Sequence, residues 1–90
     1  GSSKVALNYA TKVLSKELAS QGIRVNAVAP GITDTAMLKK MDLKAIDEQL
    51  KASSLKKIAN PDQIASVIMF LCSQESSHIT GQIIKVDGGQ

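Results

Sequence analysis

The chain predicts an α/β fold built on parallel strands, and three observations carry that prediction. Two short apolar runs, Ile23–Ala29 and Gln82–Val86, have the length and side-chain branching of buried strands. Segments with helical periodicity stand before the first run and fill the interval between the two. That interval is long enough for a crossover that sets the strands side by side and parallel. Parallel sheets are buried on both faces and contain more than two strands, so the order helix, strand, helical segment, helix, strand reads as the terminal portion of a larger α/β unit, incomplete on its own.

The first element spans Ser3 to Ser20. Leu7, Ala10, Leu14 and Leu18 recur at helical spacing, and Gly22 stands just past the end as a stop. Lys4, Asn8, Lys12 and Lys16 follow one another at i, i+4 and read as the wet stripe, which by position makes Lys4 a surface lysine. Next, Ile23, Val25 and Ala27 alternate with Arg24, Asn26 and Val28, and Pro30-Gly31 ends the run. The loop that follows carries Thr33, Asp34 and Thr35 beyond the carboxyl end of a strand, where open α/β sheets collect ligands.

Residues 36–54 have a helical but irregular pattern in Met37, Leu38, Met41, Ile46 and Leu50, as of two short helices broken near Asp42. Two methionines there suit a segment that covers variable ligands as well as they suit a plain connector. Asn60-Pro61-Asp62-Gln63 is the clearest helix start in the chain: an Asn cap, a Pro in the first turn, an acid at the positive end of the dipole, and Gln at the capping-box position. The helix runs to about Ser73, with Ile64, Val67, Ile68 and Leu71 as its core stripe. Thr80-Gly81 leads into the second strand, and Asp87-Gly88-Gly89 closes it.

Composition narrows the function classes. Ninety residues allow one small domain or part of one, and 43% hydrophobic residues argue against disorder. With one Tyr, one Phe and no Trp there is little to stack on bases. The +3 net charge equals the balance within Lys39–Lys57 alone, six lysines against three acids, which reads as a solvated helical face or a docking patch for an acidic partner or phosphate-bearing substrate; nucleic acid is not an expected partner. Cys72 lies within an apolar helical pattern and is expected to be a buried, inert thiol. A single histidine, His78, provides no zinc pair and no partner for a triad. No run approaches the roughly 18 apolar residues that span a bilayer, so no membrane association is expected, and the default setting is a reducing, cytoplasmic one.

Taken together, Ser3-Lys4 at the head of an Ala/Leu/Asn-containing helix, IRVNAVAPG, Pro30-Gly31 followed by Thr35, and ITGQIIKVDGG occur in an order and spacing that resemble the short-chain dehydrogenase/reductase family. The likeness is closest to its 3-oxoacyl-carrier-protein reductase-like and carbonyl reductase branches, and it covers nearly the whole chain. It implies that residues 1–90 are the C-terminal portion of a single Rossmann-type, doubly wound parallel domain, in which 36–55, from its methionines and irregular pattern, is a candidate substrate lid. It also implies an NAD- or NADP-dependent oxidoreductase acting on a small carbonyl or alcohol substrate. Lys4 would be the catalytic lysine that bonds the nicotinamide ribose and lowers the pKa of a neighbouring tyrosine. The main chain of Thr33 and the hydroxyl of Thr35 would hold the carboxamide, with Pro30 and Gly31 shaping the approach.

The same resemblance marks what these residues lack. The family's tyrosine, four residues before the lysine, would fall one position before Gly1. Tyr9 cannot replace it, because five residues at about 100° each turn it some 140° around the helix from Lys4. The glycine-rich turn for the pyrophosphate is also absent. The isolated chain is therefore expected to be inactive and to associate with a complementary N-terminal portion or a second copy. The competing reading is a non-catalytic interaction or oligomerisation fragment, motivated by the open strand edge.

Overall fold

The computed structural model describes residues 2–31, 40 and 42–89. Helix α1 (Ser2–Leu18) passes through a 3-10 turn at Ala19–Gln21 and stops at Gly22, whose left-handed backbone (φ 74°) closes it. Strand β1 (Ala27–Pro30) follows, then α2 (Leu43–Ala52), α3 (Pro61–Leu71), a 3-10 turn at Gln74–Ser76 and β2 (Ile83–Val86). The two strands pair in parallel with Ala27 opposite Ile83 and Pro30 opposite Val86, as the crossover predicts.

α1 and α3 serve opposite faces of the sheet. Ala29, Ile83 and Lys85 share a cleft with Leu7 and Asn8 of α1, whereas Arg24, Asn26 and Val28 share one with Ile68, Leu71 and Cys72 of α3. The residues read as the polar side of a half-buried strand thus meet a helix, which is why a parallel strand shows no single wet face. A layer on either side of parallel strands is the doubly wound α/β arrangement expected.

The first strand begins later and ends later than the alternation suggests. Ile23 lies before the ladder with its N–H on Leu18 O (3.2 Å), and Val25 and Asn26 do so because their bonding groups meet the turn ahead of β2 instead. Val25 N–H donates to Thr80 Oγ1 (3.1 Å), Gly81 N–H donates to Val25 O (2.7 Å), and Asn26 bridges Ile79 O and Gln82 N–H (both 3.0 Å). Pro30, expected as the stop, is the last strand residue. Its missing donor costs nothing there, since Gly31 N–H takes up the pairing with Val86 O at 3.1 Å. Gln82 likewise stands one residue outside β2.

Asp42 marks the break expected near it: its side chain accepts from Lys44 N–H at 3.2 Å as the N-cap of α2. Residues 36–39 and 41, with Met37, Leu38 and Met41, lie outside the described residues. α3 starts as predicted, with Asn60 Oδ1 accepting from Asp62 N–H (2.9 Å) and Gln63 Oε1 accepting from Asn60 N–H (2.8 Å). At its other end the Arg24 guanidinium, a charge well suited to a helix C-terminus, donates to Leu71 O (2.9 Å), Ser73 O (3.3 Å) and Ile79 O (3.1 Å).

Among the described residues no apolar side chain is fully buried; the buried side chains are Thr11, Ser15, Ser53 and Ser76. Leu7 and Leu14 of the expected core stripe stay exposed, as does Ile68 of α3. Cys72, expected to be buried, is exposed. The chain's accessible surface of 6674 Å² exceeds the roughly 5,000 Å² of a monomeric protein of this mass. These apolar stripes are sized for neighbours that the described elements do not supply. No described helix is long and apolar enough to cross a membrane.

Candidate functional site

Both strands end at the same level, and a cleft of about 420 Å³ opens there between α1 and the sheet. Its walls are apolar where Leu7, Ala29, Pro30 and Ile83 stand, and polar at Asn8, Lys85 and Asp87. The side of α1 turned to the sheet is marked by Asn8 in the cleft and by the buried Thr11 and Ser15, spaced three and four residues apart along one face. Thr11 and Ser15 spend their hydroxyls inside the helix, donating to Leu7 O (2.7 Å) and Lys12 O (2.8 Å), so they can approach the sheet without an unmet polar group.

Asn8, Lys12 and Lys16 are exposed, as expected of the wet stripe, and Asn8 also borders the cleft. Lys4 lies in the first turns of α1, four residues before Asn8. Tyr9, one residue beyond Asn8, is 72% exposed.

Of the other expected site residues, Pro30 lines the cleft and Gly31 continues the strand pairing beside it. Thr33 and Thr35 lie outside the described residues. Asn8, Lys85 and Asp87 were not anticipated. Asn8 had a readable signal, its i+4 relation to Lys4. Asp87 gave only a turn signal, and Oδ1 does accept from Gly89 N–H at 3.0 Å in that turn, while the residue also borders the cleft. Among the described residues no group of three His, Cys, Asp or Glu side chains is placed to hold a metal ion.

The outflow of β2 makes a second set of contacts, with the end of α2. Ser53 Oγ donates to Gly88 O at 3.0 Å, Leu55 N–H to the same oxygen at 2.8 Å, and Ser54 Oγ to Gly89 O at 3.1 Å. Gly88 and Gly89 both have left-handed backbones, and a Cβ at either would come within 2.8 Å of a serine side chain. Glycine at these two positions is what lets the segments close on one another.

A family model described as enoyl-(acyl carrier protein) reductase matches residues 1–90, the whole chain. The chain belongs to the short-chain dehydrogenase/reductase family. Within that family it is 47% identical over 87 residues to a 3-oxoacyl-(acyl-carrier-protein) reductase of Thermotoga maritima, covering 97% of this chain and 35% of the relative. It is 43% identical over 86 residues to a 3alpha-hydroxysteroid dehydrogenase of Mediterraneibacter gnavus, covering 96% of this chain and 34% of the relative. A crystal structure of the 3-oxoacyl-(acyl-carrier protein) reductase of Brucella melitensis superposes with a TM-score of 0.90 at 39% identity, covering 98% of this chain and 33% of that one. This short-chain dehydrogenase/reductase chain thus spans about a third of the length of the relatives it matches.

Proposed function

We propose that this chain is the C-terminal portion of an oxidoreductase that moves a hydride between a nicotinamide dinucleotide, NAD or NADP, and a small carbonyl or alcohol substrate. The observation that carries the reading is the cleft at the shared carboxyl end of β1 and β2, bordered by Pro30 and by Asn8, one turn after Lys4. A flat ring bearing an amide fits such a place, with Leu7, Pro30 and Ile83 against its faces and Asn8 offering both a donor and an acceptor.

In this reading Pro30 and Gly31 set the approach, while the Thr33 main chain and the Thr35 hydroxyl hold the carboxamide and so decide which ring face meets the substrate. The cofactor, when bound, supplies or accepts the hydride. Lys4 bonds the ribose and, as a cation, favours the ionised form of a neighbouring phenol, which eases proton transfer at the carbonyl oxygen. That phenol comes from a tyrosine outside these residues. Residues 36–55 serve as the substrate lid, and similarity to a 3-oxoacyl-(acyl-carrier-protein) reductase and a 3alpha-hydroxysteroid dehydrogenase makes 3-oxoacyl thioesters and ketosteroids the substrates to try first.

The 90 residues alone are expected to be inactive, since they hold neither that tyrosine nor a glycine-rich turn for the pyrophosphate. The exposure of Val5 (68%), Tyr9 (72%) and Met69 (70%) supports association with a complementary N-terminal portion, and with further copies in a homo-oligomer. The setting proposed is the cytoplasm, which suits a free thiol.

The test is reduced-nicotinamide absorbance with the full-length protein, NADH and NADPH in turn, against a short 3-oxoacyl thioester, a 3-ketosteroid and a simple diketone. Turnover with at least one pairing, and none by the isolated 90 residues, is the expected outcome. Absence of turnover across the panel, or equal turnover by the isolated chain, would sink the reading.

A further inference from the structure

The excursion from β1 to α3 is pinned at both feet to one short stretch of chain, Val86 at the near foot and Gly88 and Gly89 at the far one. It leaves at Gly31, whose N–H donates to Val86 O (3.1 Å), and its far foot returns to Gly88 and Gly89 through Ser53, Ser54 and Leu55. Between the feet stands α2, which has no buried residue and whose Leu43 is 82% exposed. A helix with so little burial draws its position from its ends.

Ser53 is the side chain that matters most at the far foot. It is 5% exposed, and its Oγ both donates to Gly88 O (3.0 Å) and accepts from Lys56 N–H (3.3 Å), so one hydroxyl joins the helix end, the strand outflow and the residue that turns away toward α3. Ser54 repeats the contact one residue on from an exposed position. Asp87, immediately before Gly88, borders both the candidate cleft and the pocket beneath Leu55 and Lys57. The far foot of the excursion thus meets the same turn that borders the cleft.

We infer that Ser53 is a positioning residue: its hydrogen bond to Gly88 holds the end of α2 against the turn that borders the cleft and so governs how the substrate is seated. The substrate clause rests on the oxidoreductase reading above; the placement of α2 does not. Ser53 touches no reacting atom in this scheme and leaves the nicotinamide contacts at Pro30 and Gly31 in place.

The test uses the full-length protein with Ser53→Ala and, as a milder variant on the exposed partner, Ser54→Ala. In Ser53→Ala the KM for whichever carbonyl probe the wild type reduces is expected to rise about tenfold, the scale of one lost buried hydrogen bond, with kcat and the cofactor KM within about twofold. Ser54→Ala shifts the same KM less. Hydrogen exchange reads the latch independently of turnover: amides of α2 and Leu55 lose protection in Ser53→Ala while those of α1 and α3 keep theirs. Unchanged exchange at α2, loss of protection throughout, or a fall in kcat with the KM unmoved would each overturn the assignment. A wild type without turnover on any probe would overturn the oxidoreductase reading, and the exchange comparison would still decide the latch.

Discussion

Ser15 of α1 and Gly81 before β2 meet so closely that a Cβ on Gly81 would lie 2.8 Å from Ser15 Oγ and 3.4 Å from its Cβ. The helix thus rests on the turn through a hydroxyl and a bare backbone, and this contact sets the distance of α1 from the sheet. Gly81 also has a left-handed backbone, φ 72°. Gly81→Ala is expected to cost about 2 kcal/mol, from steric overlap together with the left-handed penalty. Denaturant unfolding of the full-length protein measures it. In a Ser15→Ala background the nearer contact is gone, so the same substitution should cost measurably less, and equal costs in both backgrounds would show that the two residues do not bear on one another.

Arg24 binds three carbonyls from two segments, the end of α3 and Ile79. A lysine keeps the charge but has one nitrogen where the fork has two in use. Arg24→Lys should therefore destabilise by about 1–3 kcal/mol, as carbonyls lose their partner. A midpoint of denaturation equal to wild type would refute this.

Lys56 is the one described residue other than glycine with a left-handed backbone, φ 52°. Its ammonium donates to Lys51 O (3.1 Å) and, at longer range, to Ser53 O (3.4 Å), but the side chain is exposed and those bonds contribute little. Relief of backbone strain, about 1 kcal/mol, outweighs them. Lys56→Gly should raise the melting temperature of the full-length protein by a few degrees; a fall would mean that the ammonium contacts count for more than the backbone.

On the functional reading, Lys4→Met removes the cation while keeping length and helix propensity. The expected result is a loss of about 10²–10⁴-fold in kcat/KM, the range spanned by one acid–base group, with the melting temperature unchanged. Cofactor affinity measured by fluorescence titration should weaken in parallel. Near-wild-type turnover would remove Lys4 from the site.

How far each feature was legible follows from where its bonding partners lie. The start of α3 was readable because Asn60, Asp62 and Gln63 satisfy one another within four residues. The start of β1 was not, because Val25 and Asn26 find their partners at Ile79 to Gln82, more than fifty residues further along. For the candidate site, Pro30 and Gly31 stood in a motif that could be read as it stands, whereas Asp87 gave only a turn signal and became part of it through its place beside the strand ends.

Local chemistry alone determined the helix and strand order, the parallel pairing that a long crossover allows, the caps at Asn60 and Gly22, and the motif residues around Pro30. The tertiary structure decided which side of α1 turns inward. Periodicity favours the leucine stripe, yet the buried side chains of α1 are Thr11 and Ser15, whose hydroxyls are already bonded within the helix, and Ser15 closes on the bare backbone of Gly81. It also decided that Cys72 is exposed and that Arg24 caps the end of α3. Burial and capping depend on which surfaces meet, and that is a property of the assembled layers.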